Sequence, residues 1–189
     1  MSYFNATVYR IVPKESYRIK RGCPGCGRKT GYCNSGNFRV NANKNRIDVW
    51  LIYRCEKCSH TYNLTIYERI RPAEMEREEY LHFLQNDART AIRYGTDKTL
   101  FSKNKAEIDW EEISYDINPV GQVSAAGNVL VIENPYELRL RTDKVLAEIL
   151  RVTRSRVRQM VKEKKLEISQ NFLGKRTEIT FLEGEIRDE

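Results

Sequence analysis

Two Cys-x-x-Cys pairs constrain this chain more than any other feature. They lie in "RGCPGCGRKTGYC" (21–33) and "YRCEKCSHTY" (53–62), with 28 residues between the pairs. Each Cys-x-x-Cys turn can present both sulfurs to one ion, and two such turns close a tetrahedron. Four thiolates at about 2.3 Å suit zinc and leave no open coordination position. Cys23, Cys26, Cys55 and Cys58 are therefore the expected metal ligands, with structural Zn2+ as the expected cofactor. An iron–sulfur centre needs the same four ligands and stays open. A redox pair fits less well, because one pair would suffice and no helix follows "CPGC" to lower a thiol pKa.

The segment between the pairs supplies the architecture. In "NFRVNANKNRIDVWLIYRC", Ile47, Val49, Leu51 and Tyr53 alternate onto one face and "NANKN" supplies a turn, so a β-hairpin is expected. "TYNLTIYERI" alternates again through Tyr62, Leu64 and Ile66. A hairpin plus a third strand is a zinc-ribbon layout, expected over residues 1–71, with residues 3–21 giving one or two strands broken at Pro13. Cys33 is left over and reads as a small apolar or half-exposed thiol. His60 follows Cys58 closely and reads as a surface residue beside the site rather than a ligand.

From Ala73 the apolar period changes. Leu81, Leu84, Ala88 and Ile92 recur at helical spacing and Gly95 is a stop, so residues 72–127 read as a helical connector. "NVLVIENPYELRL" reads as a buried strand, a turn and a short strand. Two helices follow, at about 143–150 and 154–165, capped by Thr142 and Thr153, then a strand near 176–182. The expected fold is α+β: an antiparallel zinc ribbon, the connector, and a helix pair with short β-strands at 128–189.

Charge is segregated along this plan. Residues 1–71 carry a net +10, 72–134 a net −6, 135–176 a net +7 and 177–189 a net −4. Two basic blocks flanking an acidic middle suit a polyanionic partner. In the second block Arg151, Arg154, Arg158, Lys162 and Lys165 fall within about 80° of helical arc at 100° per residue. Val157, Met160 and Val161 lie on the neighbouring face. Phosphates along a nucleic-acid backbone are the natural complement of such a ladder.

The same stretch, "RTDKVLAEILRVTRSRVRQMVKEKKLEI", resembles the RNA-binding module named after ribosomal protein S-four. Arg141, Asp143, Lys144 and Leu146 match its first part; Arg154, Ser155 and Arg156 match its second. The chain departs from the pattern at Thr142, at Lys164 and in "ISQNFLGK". The resemblance implies an RNA-binding surface that includes Arg141, Lys144 and Arg156. The whole chain also resembles a bacterial family, domain of unknown function ten-sixty-two, through "FRVNAN", "DVWLIYRCEKC" and "NLTIYER". That likeness implies a zinc ribbon and no particular activity.

The expected function is thus non-catalytic binding of structured RNA such as rRNA or tRNA. One alternative is a DNA-binding helix-turn-helix regulator, in which Ala147, Val152 and Val157 pack and Gln159 reaches a base edge. A strand hairpin after Leu166 favours RNA; a continued helix favours DNA. Another alternative is a scaffold whose ribbon docks a protein partner. No phosphate-cradling glycine loop, His-x-Glu pairing or partnered nucleophile points to an enzyme. No apolar run approaches the roughly 20 residues of a membrane span. "MSYFNATVYRIVPKE" has no basic-then-apolar leader, so a cytoplasmic setting without membrane contact is expected.

Overall fold

The computed structural model describes residues 3–126 and 128–182. Helices and strands are both present, and sheet predominates. The chain divides into two compact units, Pro13–Ser114 and a discontinuous one of Met1–Val12 with Tyr115–Glu189. This differs from the expected segments 1–71, 72–127 and 128–189. The reason lies in strand pairing: the first strand finds its partner more than a hundred residues away.

The inner unit is built on β2 (Ile19–Cys23), β3 (Arg28–Asn43), β4 (Arg46–Cys55), β5 (Thr61–Ile70) and β6 (Glu107–Ile108). They form one sheet in the order β5-β4-β3-β2-β6, with antiparallel neighbours throughout. The expected hairpin turns at Lys44 and Asn45, both left-handed (φ 48° and 58°), as a two-residue turn between right-twisting strands requires. Ile47, Val49, Leu51 and Tyr53 are all buried, as the alternation predicts. Tyr53 also donates its hydroxyl to the Tyr17 carbonyl at 3.0 Å, which satisfies its one buried polar atom.

The expected helical stripe at 81–92 is corrected. Two short helices, α1 (Arg77–Gln85) and α2 (Ala88–Gly95), replace one. Asn86 takes a left-handed conformation (φ 54°) and Asp87 caps α2 by accepting from the Thr90 amide at 2.7 Å. The corner rotates the stripe outward. Leu81, Leu84, Ala88 and Ile92 are exposed, while Phe83 and Ala91 are buried. Phe83 packs on Phe38 with ring centroids 4.9 Å apart. Gly95 ends α2 against the sheet: a Cβ there would sit 2.1 Å from Ser16 Oγ and 2.9 Å from Asn34 Nδ2. After α3 (Lys98–Lys103), which is capped by Asp97, the chain keeps only one 3-10 turn, Trp110–Glu112, before Tyr115. The connector expected over 72–127 is therefore helical only in its first part.

The outer unit holds β1 (Tyr3–Pro13), β7 (Tyr115–Ala126), β8 (Asn128–Glu133), β9 (Leu166–Ile168) and β10 (Arg176–Phe181), in the order β7-β1-β8-β10-β9. β1 runs parallel to β8, with Thr7 opposite Leu130 and Tyr9 opposite Ile132. Leu130, Val131 and Ile132 are buried in succession, the pattern of a strand covered on both faces. Pro119 and Gly121 are tolerated in β7 because it lies at the sheet edge.

The helices of this unit are α4 (Thr142–Ile149) and α5 (Arg154–Lys162). Val145, Leu146, Ala147 and Val157 are buried. Thr153 caps α5 as expected, accepting from the Arg156 amide at 3.1 Å. Thr142 does not cap α4; it is buried and donates to the Gln170 carbonyl at 2.8 Å. After α5 the chain forms an antiparallel hairpin, β9–β10, with Ile168 opposite Ile179.

Candidate metal centre and basic surface

β2 and β4 flank β3 and both run antiparallel to it, so their C-terminal ends meet at one end of the sheet, beside the start of β3. Each end continues into a tight knuckle. In the first, the amides of Cys26 and Gly27 donate to the Cys23 carbonyl at 3.2 and 2.9 Å. In the second, the Ser59 amide donates to the Cys55 carbonyl at 2.9 Å. Gly27 (φ 65°) and Ser59 (φ 60°) take the same left-handed turn after the second cysteine of each pair.

The four sulfurs of Cys23, Cys26, Cys55 and Cys58 all lie within 4.8 Å of one another. Cys23 Sγ is 3.4 Å from Cys58 Sγ, and Cys26 Sγ is 3.9 Å from Cys55 Sγ. A tetrahedral ion with bonds of about 2.3 Å needs sulfur separations of about 3.8 Å, so the donor set fits a metal. The surroundings favour thiolate. Thr30 Oγ1 lies 3.3 Å from Cys55 Sγ and the Lys57 amide donates to that sulfur at 3.5 Å. Chiefly through Thr30, the Cys55 thiol is held down at about 6. Cys23 is also held down, chiefly by a hydrogen bond with Tyr32, whereas hydrogen bonding to Cys58, then burial, pushes Cys26 up to about 12. Two thiols are thus biased toward thiolate and two against it, and a bound cation would favour thiolate at all four.

Neither leftover residue joins the cluster. His60 is exposed and gives its backbone carbonyl to the Cys55 amide at 2.9 Å. Cys33 donates to Glu56 Oε1 at 2.9 Å and accepts from Arg18 Nε at 3.3 Å, while Arg18 and Glu56 pair at 2.5 Å. Burial, then Glu56, pushes the Cys33 thiol up.

The basic residues of the outer unit are organised by an acid. The Asp143 carboxylate, in the first turn of α4, is nearly buried. It accepts from Arg141 Nε at 3.2 Å, from Arg154 Nη2 at 3.0 and 3.1 Å, and from Arg158 Nε at 3.0 Å. Burial alone would raise this carboxyl; the hydrogen bonds of Arg154, Arg158 and Arg141 outweigh it and hold it at about 2. The sequence supplied Asp143 only as a motif match and a dipole partner. Its role as the hub of three arginines needs the fold, since it reaches Arg158 fifteen residues on.

The other expected contacts disperse. Lys162 lines the same cleft as Arg141 and Arg158. Arg156 and Lys165 both face Glu163, at 3.9 and 3.1 Å. Lys144 lies over the Tyr115 ring at 5.2 Å. Arg151 occupies the left-handed turn between α4 and α5 (φ 52°). Arg151 and Lys165 therefore lie outside α5, and the helical ladder reduces to Arg154, Arg158 and Lys162. The residues suited to a helix-turn-helix also diverge: Ala147 and Val157 are buried, Val152 is exposed, and Gln159 is bonded to Glu163 at 2.7 Å.

The family model described as "Protein of unknown function (DUF1062)" matches residues 40–172, from the β3–β4 hairpin to the loop after β9. The chain belongs to this family. The match includes Cys55, Cys58 and the three arginines on Asp143, and begins after Cys23 and Cys26. No curated protein and no solved structure matches the chain. No helix among the described residues is long and apolar enough to cross a membrane.

Proposed function

We propose that this protein is a non-catalytic RNA-binding protein. Its inner unit is held by a structural zinc ion on Cys23, Cys26, Cys55 and Cys58. Its outer unit grips structured RNA through Arg141, Arg154, Arg158 and Lys162. The observation that carries the reading is the clustering of three guanidiniums on Asp143. Each guanidinium has five N–H donors, and Asp143 takes one or two of them. The rest remain for phosphate oxygens, with the side chains already ordered and a net excess of two charges. An unrestrained arginine loses about 2 kcal/mol of rotamer freedom on docking, so this ordering favours binding.

RNA is preferred over DNA because a strand hairpin, not a continued helix, follows α5, and because Gln159 is engaged by Glu163. Backbone geometry is the expected basis of recognition, as A-form major grooves admit few side chains. Zinc is the proposed ion because a closed four-thiolate site serves folding and leaves no position for substrate.

The test is a titration of the full chain against rRNA or tRNA and against duplex DNA, at two salt concentrations. Tighter, salt-sensitive binding to RNA is expected. Arg154→Gln with Arg158→Gln should weaken it by about tenfold or more and reduce the salt slope by about two. Unchanged affinity in the double variant, or no binding to RNA, refutes the reading.

A further inference from the structure

The segment between β9 and β10 places an aromatic ring in solvent beside the basic cluster. Phe172 is 42% exposed. The Arg139 guanidinium carbon lies 5.5 Å from its ring centroid and that of Arg141 lies 5.9 Å away. The loop carrying it is anchored at several points. The Leu173 amide donates to the Leu140 carbonyl at 2.9 Å, and the Thr142 amide donates to the Asn171 carbonyl at 3.0 Å. Thr177 Oγ1 accepts from Gln170 Nε2 at 2.9 Å and from the Gly174 amide at 3.1 Å. Leu173 is buried under the loop. The ring is therefore held outward on a fixed platform, while the neighbouring apolar residue goes inward.

Next to this platform is a cleft of about 330 Å³ lined by residues that include Arg141, Val157, Arg158, Lys162 and Asn171. It lies at the small end of the ~300–1,000 Å³ range of ligand clefts. Its lining combines apolar Val157, Val161 and Ile168 with cationic Arg141, Arg158 and Lys162, a mixture that suits one nucleotide with a flat base and a charged phosphate.

We propose that Phe172 is a stacking platform for an unpaired nucleotide of the bound RNA, whose phosphate lies among Arg141, Arg158 and Lys162. The assignment rests on the RNA-binding reading and narrows it to RNAs with a bulge or loop. A fully paired helix keeps its bases stacked on one another and offers the ring nothing. An acidic peptide would satisfy the cations and leave the ring unused. Base–aromatic stacking is sequence-tolerant, because every base has a π-face.

The experiment compares two RNAs of equal length, one fully paired and one with a single 2-aminopurine bulge, binding the full chain. With the wild type, the bulged RNA should bind more tightly and its fluorescence should be quenched. Phe172→Ala should weaken that RNA by about 5- to 100-fold, the range of one stacked base. It should leave the paired RNA and the salt slope unchanged, since no charge is removed. Phe172→Trp should retain tight binding and quenching. If Phe172→Ala binds the bulged RNA as the wild type does, the platform is refuted and RNA binding stands. If the wild type ignores both RNAs but takes up a poly-glutamate peptide, both readings fall.

Discussion

Replacing Asp143 with Asn removes the charge that three arginines share and keeps the side chain's size. The carboxyl sits at about 2 against an ordinary 3.8. At about 1.4 kcal/mol per pH unit, this difference corresponds to roughly 2 kcal/mol of stability. The arginine side chains are 43–56% exposed, so solvent screening reduces the figure to about 1 kcal/mol. Because the folded value is depressed, the contribution is complete above pH 3.8 and disappears as pH falls toward 2. Hydrogen exchange of the α4 and α5 amides reads this unit directly, whereas Trp50 and Trp110 both lie in the other. At pH 7, Asp143→Asn should exchange about fivefold faster than the wild type through residues 142–162. The ratio should close to near unity by about pH 2. Equal exchange at pH 7, or a ratio that does not change with pH, would show that the arginines do not depend on this carboxylate.

Two other expectations address the inner unit. Metal removal by a chelator, or Cys55→Ser, should unfold residues 13–114, because structural zinc sites contribute on the order of 10 kcal/mol. The readouts are tryptophan fluorescence and elemental analysis, and a folded protein without metal contradicts the centre. Gly95→Ala should cost about 1–3 kcal/mol, since its Cβ would overlap Ser16 and Asn34. An unchanged melting temperature would contradict that packing.

The sequence made the local features legible. Cysteine spacing located the four sulfurs, strict alternation located the buried face of β4, and Thr153 marked the start of α5. Features that depend on distant partners were not legible. Nothing local pairs β1 with β8, and the helical stripe at 81–92 masks a break that Asn86 and Asp87, a C-terminal stop and an N-cap type in succession, do signal. Thr142 has the chemistry of a cap, but it lies inside the first turn of α4, with Arg141 at the cap position, and its buried hydroxyl donates to the Gln170 carbonyl. Around Asp143 the charges were visible individually, and their convergence was not.

The pairing of β1 with β8 sets an order of events during synthesis. Thr7 is made 123 residues before its partner Leu130. At ~5–20 residues per second, the first strand waits on the order of ten seconds. Residues 13–114 are complete before that wait ends. Their folding joins Lys14 to Ser114 by a backbone hydrogen bond of 3.1 Å. It thereby shortens the loop that β1 and β8 must close from over a hundred residues to about twenty, which lowers the entropic cost by about 1–2 kcal/mol. A chain that has not yet acquired the proposed ion would leave β1 unpaired for longer, with its edge open to other strands. The ion proposed for one unit would then govern how quickly the other can assemble.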